Sequence, residues 1–290
     1  MIAVLLSLGA AVTFALSAMF ISATGGRLGV FQLARWQMGL AFAMLLIISV
    51  ITGGWAAMTF GQFVLLSGSA VVGIMLATST YLATIQVAGP RISSVLFSLA
   101  SPFAVGLGWL FLDEHLTVGQ MAGIALILVG ILFAVLAEKT DGQAMTRPLW
   151  LGIALGGITA LGQATGSLLA RPAMASGAEP FTAMAIRSGL GFLFFLALMA
   201  LPLARTNQNP TPRDLRHVAL SAVFGMVLGM SLLMAALALG DVGIVSTLSS
   251  TTPILILPMV WAVTRRAPPP LAWVGAILAV AGTGLISAFS

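Results

Sequence analysis

Apolar residues run through this chain in blocks of about twenty, the length one helix needs to cross a bilayer. The blocks fall at 2–23, 30–51, 60–87, 91–112 and 117–137, then at 149–170, 180–203, 215–238, 242–264 and 269–288. Turns bearing Gly, Pro or charge separate them. The first block lacks a basic leader and a small-residue cleavage site, so it is expected to be a retained span rather than a signal peptide. The most polar early linker, Glu138-Lys139-Thr140-Asp141-Gly142-Gln143, follows the fifth block. The pattern predicts an all-α integral membrane protein of ten transmembrane helices. A first five-helix repeat is expected at 1–137, a linker at 138–148 and a second, inverted repeat at 149–290.

The division rests on recurrences. Ser98-Leu99-Ala100-Ser101-Pro102 returns 151 positions later as Ser249-Ser250-Thr251-Thr252-Pro253. Arg35 and Arg187, Trp109 and Trp261, and Gly130 and Gly282 each lie 152 apart. Offsets this constant over many residues mark a duplication. With five spans per half, the second copy enters the membrane from the opposite side. Each proline lacks an N–H and crowds the carbonyl four residues earlier, so bare C=O groups are expected on Ser98 and Ser249. Pro102 and Pro253 are the expected hinges.

Composition agrees: 60% of the 290 residues are hydrophobic and 7% charged, with a mean hydropathy of +1.12. Almost nothing remains for a soluble domain. The absence of cysteine excludes disulfides, thiolate nucleophiles and Cys-ligated metals.

Charge adds an orientation. Loops after the odd-numbered spans carry Arg27, Arg91, Lys139, Arg147, Arg205, Arg213, Arg216, Arg265 and Arg266, against Arg171 alone elsewhere outside the spans. The positive-inside rule makes the richer side cytoplasmic and leaves both termini outside. The formal charge of +5 is thereby assigned to topology, and no nucleic-acid partner is expected. Arg35 and Arg187 are the charges within spans. Either can snorkel to the headgroups, or face inward as a gate or charge contact.

Catalysis in the membrane needs a nucleophile, acid, base or metal at depth. Both histidines and all seven acidic residues fall in turns or at span ends, so no enzyme, metal or cofactor is expected. The hydroxyls are more informative, being concentrated in the first, third, fourth, sixth and ninth spans. Individually they serve helix packing; together with matched prolines they outline a polar pathway. Ser17, Thr78, Tyr81, Ser98, Ser101, Gln163, Ser249 and Thr252 are the candidate substrate-binding residues. Gln163, near the middle of the sixth span, has an amide that wants water, a partner or a substrate. Gly225-x-x-x-Gly229 and Gly119-x-x-x-Gly123 read as close helix contacts, with a homodimer face the lesser expectation. Trp55, Trp109, Trp150, Trp261 and Trp273 read as interfacial anchors.

Two inverted five-span halves, early arginines in spans two and seven, prolines in spans four and nine, and the Gly123-x6-Gly130 and Gly275-x6-Gly282 patterns resemble the drug/metabolite transporter superfamily, EamA type. The run from Asp113 to Gly123 is similar to that family's acidic, Gln and Gly pattern between helices four and five. The resemblance covers essentially the whole chain. It implies a substrate cavity among spans one, three, four, six, eight and nine, and export of amino acids or other small metabolites from bacteria. The aromatic positions of the family's best-known amino-acid exporters hold Leu99, Ser101, Leu161, Thr251 and Thr252 here, which implies a roomier, more hydroxylic pocket. Family members are usually drawn with cytoplasmic termini, opposite to the loop count. The expectation is a monomeric exporter in the bacterial inner membrane working by alternating access down its substrate's gradient. A channel-like pore and a non-transporting membrane scaffold or assembly factor are the alternatives.

Overall fold

The computed structural model describes residues 1–24, 27–137, 149–200, 209–265 and 269–289. Six helices are long and apolar enough to cross a membrane: Ile2–Ser22, Val30–Thr52, Phe60–Ile85, Trp150–Ala175, Pro180–Ala200 and Pro212–Leu239. Four shorter apolar stretches, Leu96–Leu112, Val118–Phe133, Val242–Ile256 and Pro270–Ile286, complete ten. Named in order, the helices are α1 (Ile2–Ser22), α2 (Val30–Thr52), α3 (Phe60–Ala70), α4 (Ala77–Ser98), α5 (Ala100–Leu112), α6 (Val118–Ala137) and α7 (Leu149–Ala175). They continue as α8 (Pro180–Ala197), α9 (Pro212–Ser221), α10 (Met230–Leu239), α11 (Val242–Ser249), α12 (Thr252–Thr264) and α13 (Pro270–Ala288). The linker at 138–148 lies outside the described residues.

The duplication is visible in local devices. Thr59 opens α3 with a capping box closed by Gln62, and Thr211 opens α9 with one closed by Asp214. A Ser/Thr cap and its partner three residues on satisfy two otherwise orphaned N–H groups. Between α3 and α4 the helix widens into π-helical turns at Val71–Leu76, and between α9 and α10 at Ala222–Gly229. Residues Asp113 and Arg265, which end α5 and α12, are both left-handed, with φ of 53° and 54°. Each pair of caps and helix ends stands 152 positions apart.

Glycine contacts then show how the halves meet. A Cβ on Gly123 of α6 would stand 2.7 Å from the Gly282 carbonyl oxygen of α13, and one on Gly130 2.5 Å from that of Gly275. Exchanging the halves at an offset of 152 turns the first contact into the second, as antiparallel packing about a pseudo-twofold axis requires. Only glycine allows backbones so close. A similar exchange relates α2 to α8: Gly39 receives the Phe192 ring, and Gly189 receives Phe42. There the offset is 150, which also relates the helix starts Val30 and Pro180. Arg187 therefore corresponds to Gln37 and not, as the sequence spacing implied, to Arg35.

A second difference concerns the turn expected between 87 and 91. The backbone is helical through Gly89 and Pro90, and the helix breaks at Leu99 instead. Thr80 nevertheless bonds Thr159, while Leu96 packs on Gly156. Sixteen residues of straight helix would span about 24 Å, so α4 doubles back between these contacts. Its first part completes the third crossing and its last part begins the fourth.

Candidate functional site

The expected substrate-binding residues gather in three places. At the first, the proline-broken helices cross. Ser101, fully buried, donates to the Ser250 hydroxyl at 3.1 Å and lies 3.4 Å from the Ser246 carbonyl. Thr252 donates to the Ser249 carbonyl at 3.0 Å and reaches the Ala11 carbonyl of α1 at 3.4 Å. The Ser249 carbonyl is thus occupied, and the bare group expected there is not available. Ser249 turns its own hydroxyl to the Val245 carbonyl, and Thr251 turns its to Leu248. Hydroxyls beside a break readily fold back onto local carbonyls, and a serine-threonine run satisfies much of the interruption it creates. Ser98 is half-buried at the matching end of α4.

The second place joins α1, α2 and α9. Ser17 donates to the Ser221 carbonyl at 2.9 Å, and the Gln37 amide donates to the Ser221 hydroxyl at 3.0 Å. Gly225 lies beneath Ser17, and Gly229 beneath Phe14, so this glycine pair packs within the chain. At the third, α4 meets α7. Thr159 bonds Thr80 at 2.8 Å, and Tyr81 stacks at a tilt on Phe97 with ring centroids 5.5 Å apart. Thr78 and Gln163 are half-buried there and make no hydrogen bond among the described residues. The eight candidates therefore do not form one ring. Pro102 lies at the start of α5; Pro253 occupies the corresponding start of α12.

Arg35 is half-buried, whereas Arg187 is 1% exposed and does not snorkel. Its Nη1 points at the thioethers of Met234, 3.2 Å away, and Met184, 3.9 Å away. Its Nε has no hydrogen-bond partner. Ser79, among the hydroxyls of the third span, and Ser231, which sequence spacing passed over, have buried hydroxyls with no partner either. They are 152 apart, so the repeat already carried the signal that pairs them.

Links between the halves close both ends of the bundle. At one, Arg27 Nη2 pairs with Asp214 at 2.5 Å. At the other, the Gln62 amide donates to the Ser176 carbonyl at 3.2 Å and to its hydroxyl at 3.0 Å. Asp214 and Gln62 are equivalent capping-box residues, so the two links are counterparts, one ionic and one neutral. The second end carries another tie. The Val242 N–H at the start of α11 donates to Glu114 Oε1 and Oε2 at 3.1 and 2.9 Å, with Arg171 Nε 3.7 Å from Oε1. A carboxylate complements the positive end of a helix dipole. Burial pushes the Glu114 carboxyl up from its ordinary value, against the lowering effect of the Val242 bond, and nearby Asp241 pushes the same way. The cavity of about 390 Å³ beside Met1, Val4, Leu5, Gly284 and Ala288 is apolar and lies at helix ends, away from these groups.

The EamA-like transporter family matches residues 1–136 and again 150–288, one match to each half. A solved crystal structure of a protein superposes with a TM-score of 0.81 over 99% of this chain and 96% of its own, at 17% identity, and so shares the fold. Comparison with curated proteins finds no match. Two family matches spanning nearly all of the chain, on a fold with ten apolar helical stretches among the described residues in two inverted sets, make this multi-pass membrane protein a member of the EamA-like transporter family, within the drug/metabolite transporter superfamily.

Proposed function

We propose that the protein is a secondary transporter that exports amino acids or comparable small amphiphilic metabolites across the bacterial inner membrane by alternating access. The observation that carries this is the pair of counterpart links, Arg27–Asp214 at one end and Gln62–Ser176 at the other. In an inverted repeat, the conformation of one half can be taken up by the other, so equivalent links at opposite ends can break in turn and open the centre to each side. The crossing of the broken helices at Ser101 and Ser250 lies between them and is a bistable element about which the halves can rock. Gln163, with its uncommitted amide, together with Thr78, Tyr81 and the hydroxyls around Pro102 and Pro253, contacts the solute. The protein works as a monomer, its arginine-rich loops are cytoplasmic and its termini lie outside.

Efflux of labelled Thr, Met and Phe from proteoliposomes tests this. Saturable, trans-stimulated efflux that falls in well-folded Gln163→Ala is expected. Unsaturable flux would favour a pore, and no flux of any solute would favour a scaffold.

A further inference from the structure

We propose that Arg187 is an anion-binding residue on the transport path, and that the preferred solute is a small carboxylate carrying net negative charge. This rests on the transporter reading and sharpens its substrate class. Arg187 lies seven residues inside α8, about 10 Å from the start of the helix, and is buried among helices. A buried cation requires a counter-charge or strong acceptors. Thioether sulfurs, its hydrogen-bonding contacts here, are weak acceptors. The described acidic residues, Asp113, Glu114, Glu179, Asp214 and Asp241, lie in turns or at helix ends, so none among the described residues stands at this depth. The counter-charge comes from a bound solute.

The surroundings suit a carboxylate. Ser231 stands one helical turn before Met234, on the same face of α10, and its buried hydroxyl has no partner. A guanidinium and a hydroxyl are both donors, whereas a carboxylate only accepts. Arg187 Nη2 also borders Gly73, in the widened turn after α3, which packs closely on the Gly166 backbone of α7. Met184 and Met234 are flexible enough to yield to a ligand. Packing does not demand the charge: the equivalent Gln37 is neutral and satisfied by Ser221. Because no carboxylate among the described residues faces the same interior to hold an ammonium, a net anion is preferred to a zwitterion, and a zwitterion to a cation.

Three solutes with one carbon skeleton separate these cases: 4-methylpentanoate, leucine and leucinamide. Binding is read by thermal shift in nanodiscs of phosphatidylcholine alone, where no anionic headgroup can supply the counter-charge. 4-Methylpentanoate is expected to bind best and leucinamide not at all. Arg187→Gln, which installs the side chain of the other half, should weaken 4-methylpentanoate about tenfold or more, as loss of a charged hydrogen bond does. Arg187→Lys should keep part of the affinity, and Ser231→Ala should lose a smaller share. Absent binding to wild type, or binding unchanged in folded Arg187→Gln, overturns the assignment. Leucine counterflow in proteoliposomes then separates the failures: if it persists, transport stands and the anion site falls; if it too is missing, both fall.

Discussion

Gln37 and Arg187 occupy the same place in the two halves, each beside a glycine of a widened turn, Gly225 and Gly73 respectively. Gln37 is bonded to Ser221, whereas Arg187 reaches thioethers and leaves its Nε unpaired. The fold tolerates a neutral group there, so the charge is a cost in stability. Replacing it with an apolar side chain of similar reach should stabilise the ligand-free protein: Arg187→Met is expected to raise unfolding free energy by at least about 1 kcal/mol. Reversible unfolding in mixed micelles measures this. A less stable variant would mean that the thioether contacts and packing outweigh the buried charge.

The glycine seam between α6 and α13 predicts a matched pair of effects. Gly123→Val and Gly282→Val should destabilise to the same degree, by about 1–3 kcal/mol, because each new side chain would meet the other glycine's carbonyl. Gly284→Ala, with nothing within 4 Å of the added methyl, should be neutral or stabilising by up to about 1 kcal/mol. Unequal costs for the first pair would argue against a reciprocal glycine contact.

Glu114 confers a pH dependence of definite sign. Its carboxyl binds a proton more readily in the folded protein than in the unfolded chain, since burial disfavours the charged form. Its contribution to stability is therefore fully present below the ordinary carboxylate range. It is lost as pH rises from there through the folded value, where the curve levels. Glu114→Gln removes that decline. Thermal midpoints followed from about pH 4 to pH 8 should show the wild-type protein losing ground to the variant as pH rises; parallel profiles would contradict the assigned environment.

Much of the architecture was legible because the duplication repeats residue types. Trp109 and Trp261 and the glycines of α6 and α13 stand 152 apart and the two proline breaks 151, and the structure uses the prolines and glycines in equivalent ways. The correspondence of Arg35 with Arg187 misled because the chain from α8 to α9 is two residues longer than that from α2 to α3, so the offset is 150 at the starts of α2 and α8 and 152 only from the starts of α3 and α9 onward. Interlocking Gly39, Phe42, Gly189 and Phe192 reveal this, and a pair of arginines does not. Ser249 shows a second limit. Proline chemistry removes a donor from its carbonyl, but the sequence does not say that the Thr252 hydroxyl takes its place. The reversal expected near Pro90 takes an unexpected form for a related reason: helical backbone and reversal of direction coexist in α4, and only contacts such as those with α7 reveal the bend.

Membrane orientation is open to direct labelling, since the chain has no cysteine. A cysteine replacing exposed Ala57, in the turn between α2 and α3, should react with an impermeant maleimide added to intact cells. One replacing Arg213, exposed near the start of α9, should react only after permeabilisation. The reverse pattern would put the termini in the cytoplasm.

Alternating use of the two ends is the central claim, and cross-linking tests it most directly. Cysteine pairs replacing Arg27 with Asp214, and Gln62 with Ser176, place reactive groups across the counterpart links. Each pair, bridged in proteoliposomes by a short bis-methanethiosulfonate, should abolish counterflow on its own, and reduction should restore it. Counterflow continuing at the unbridged rate with either end fully cross-linked would contradict the account.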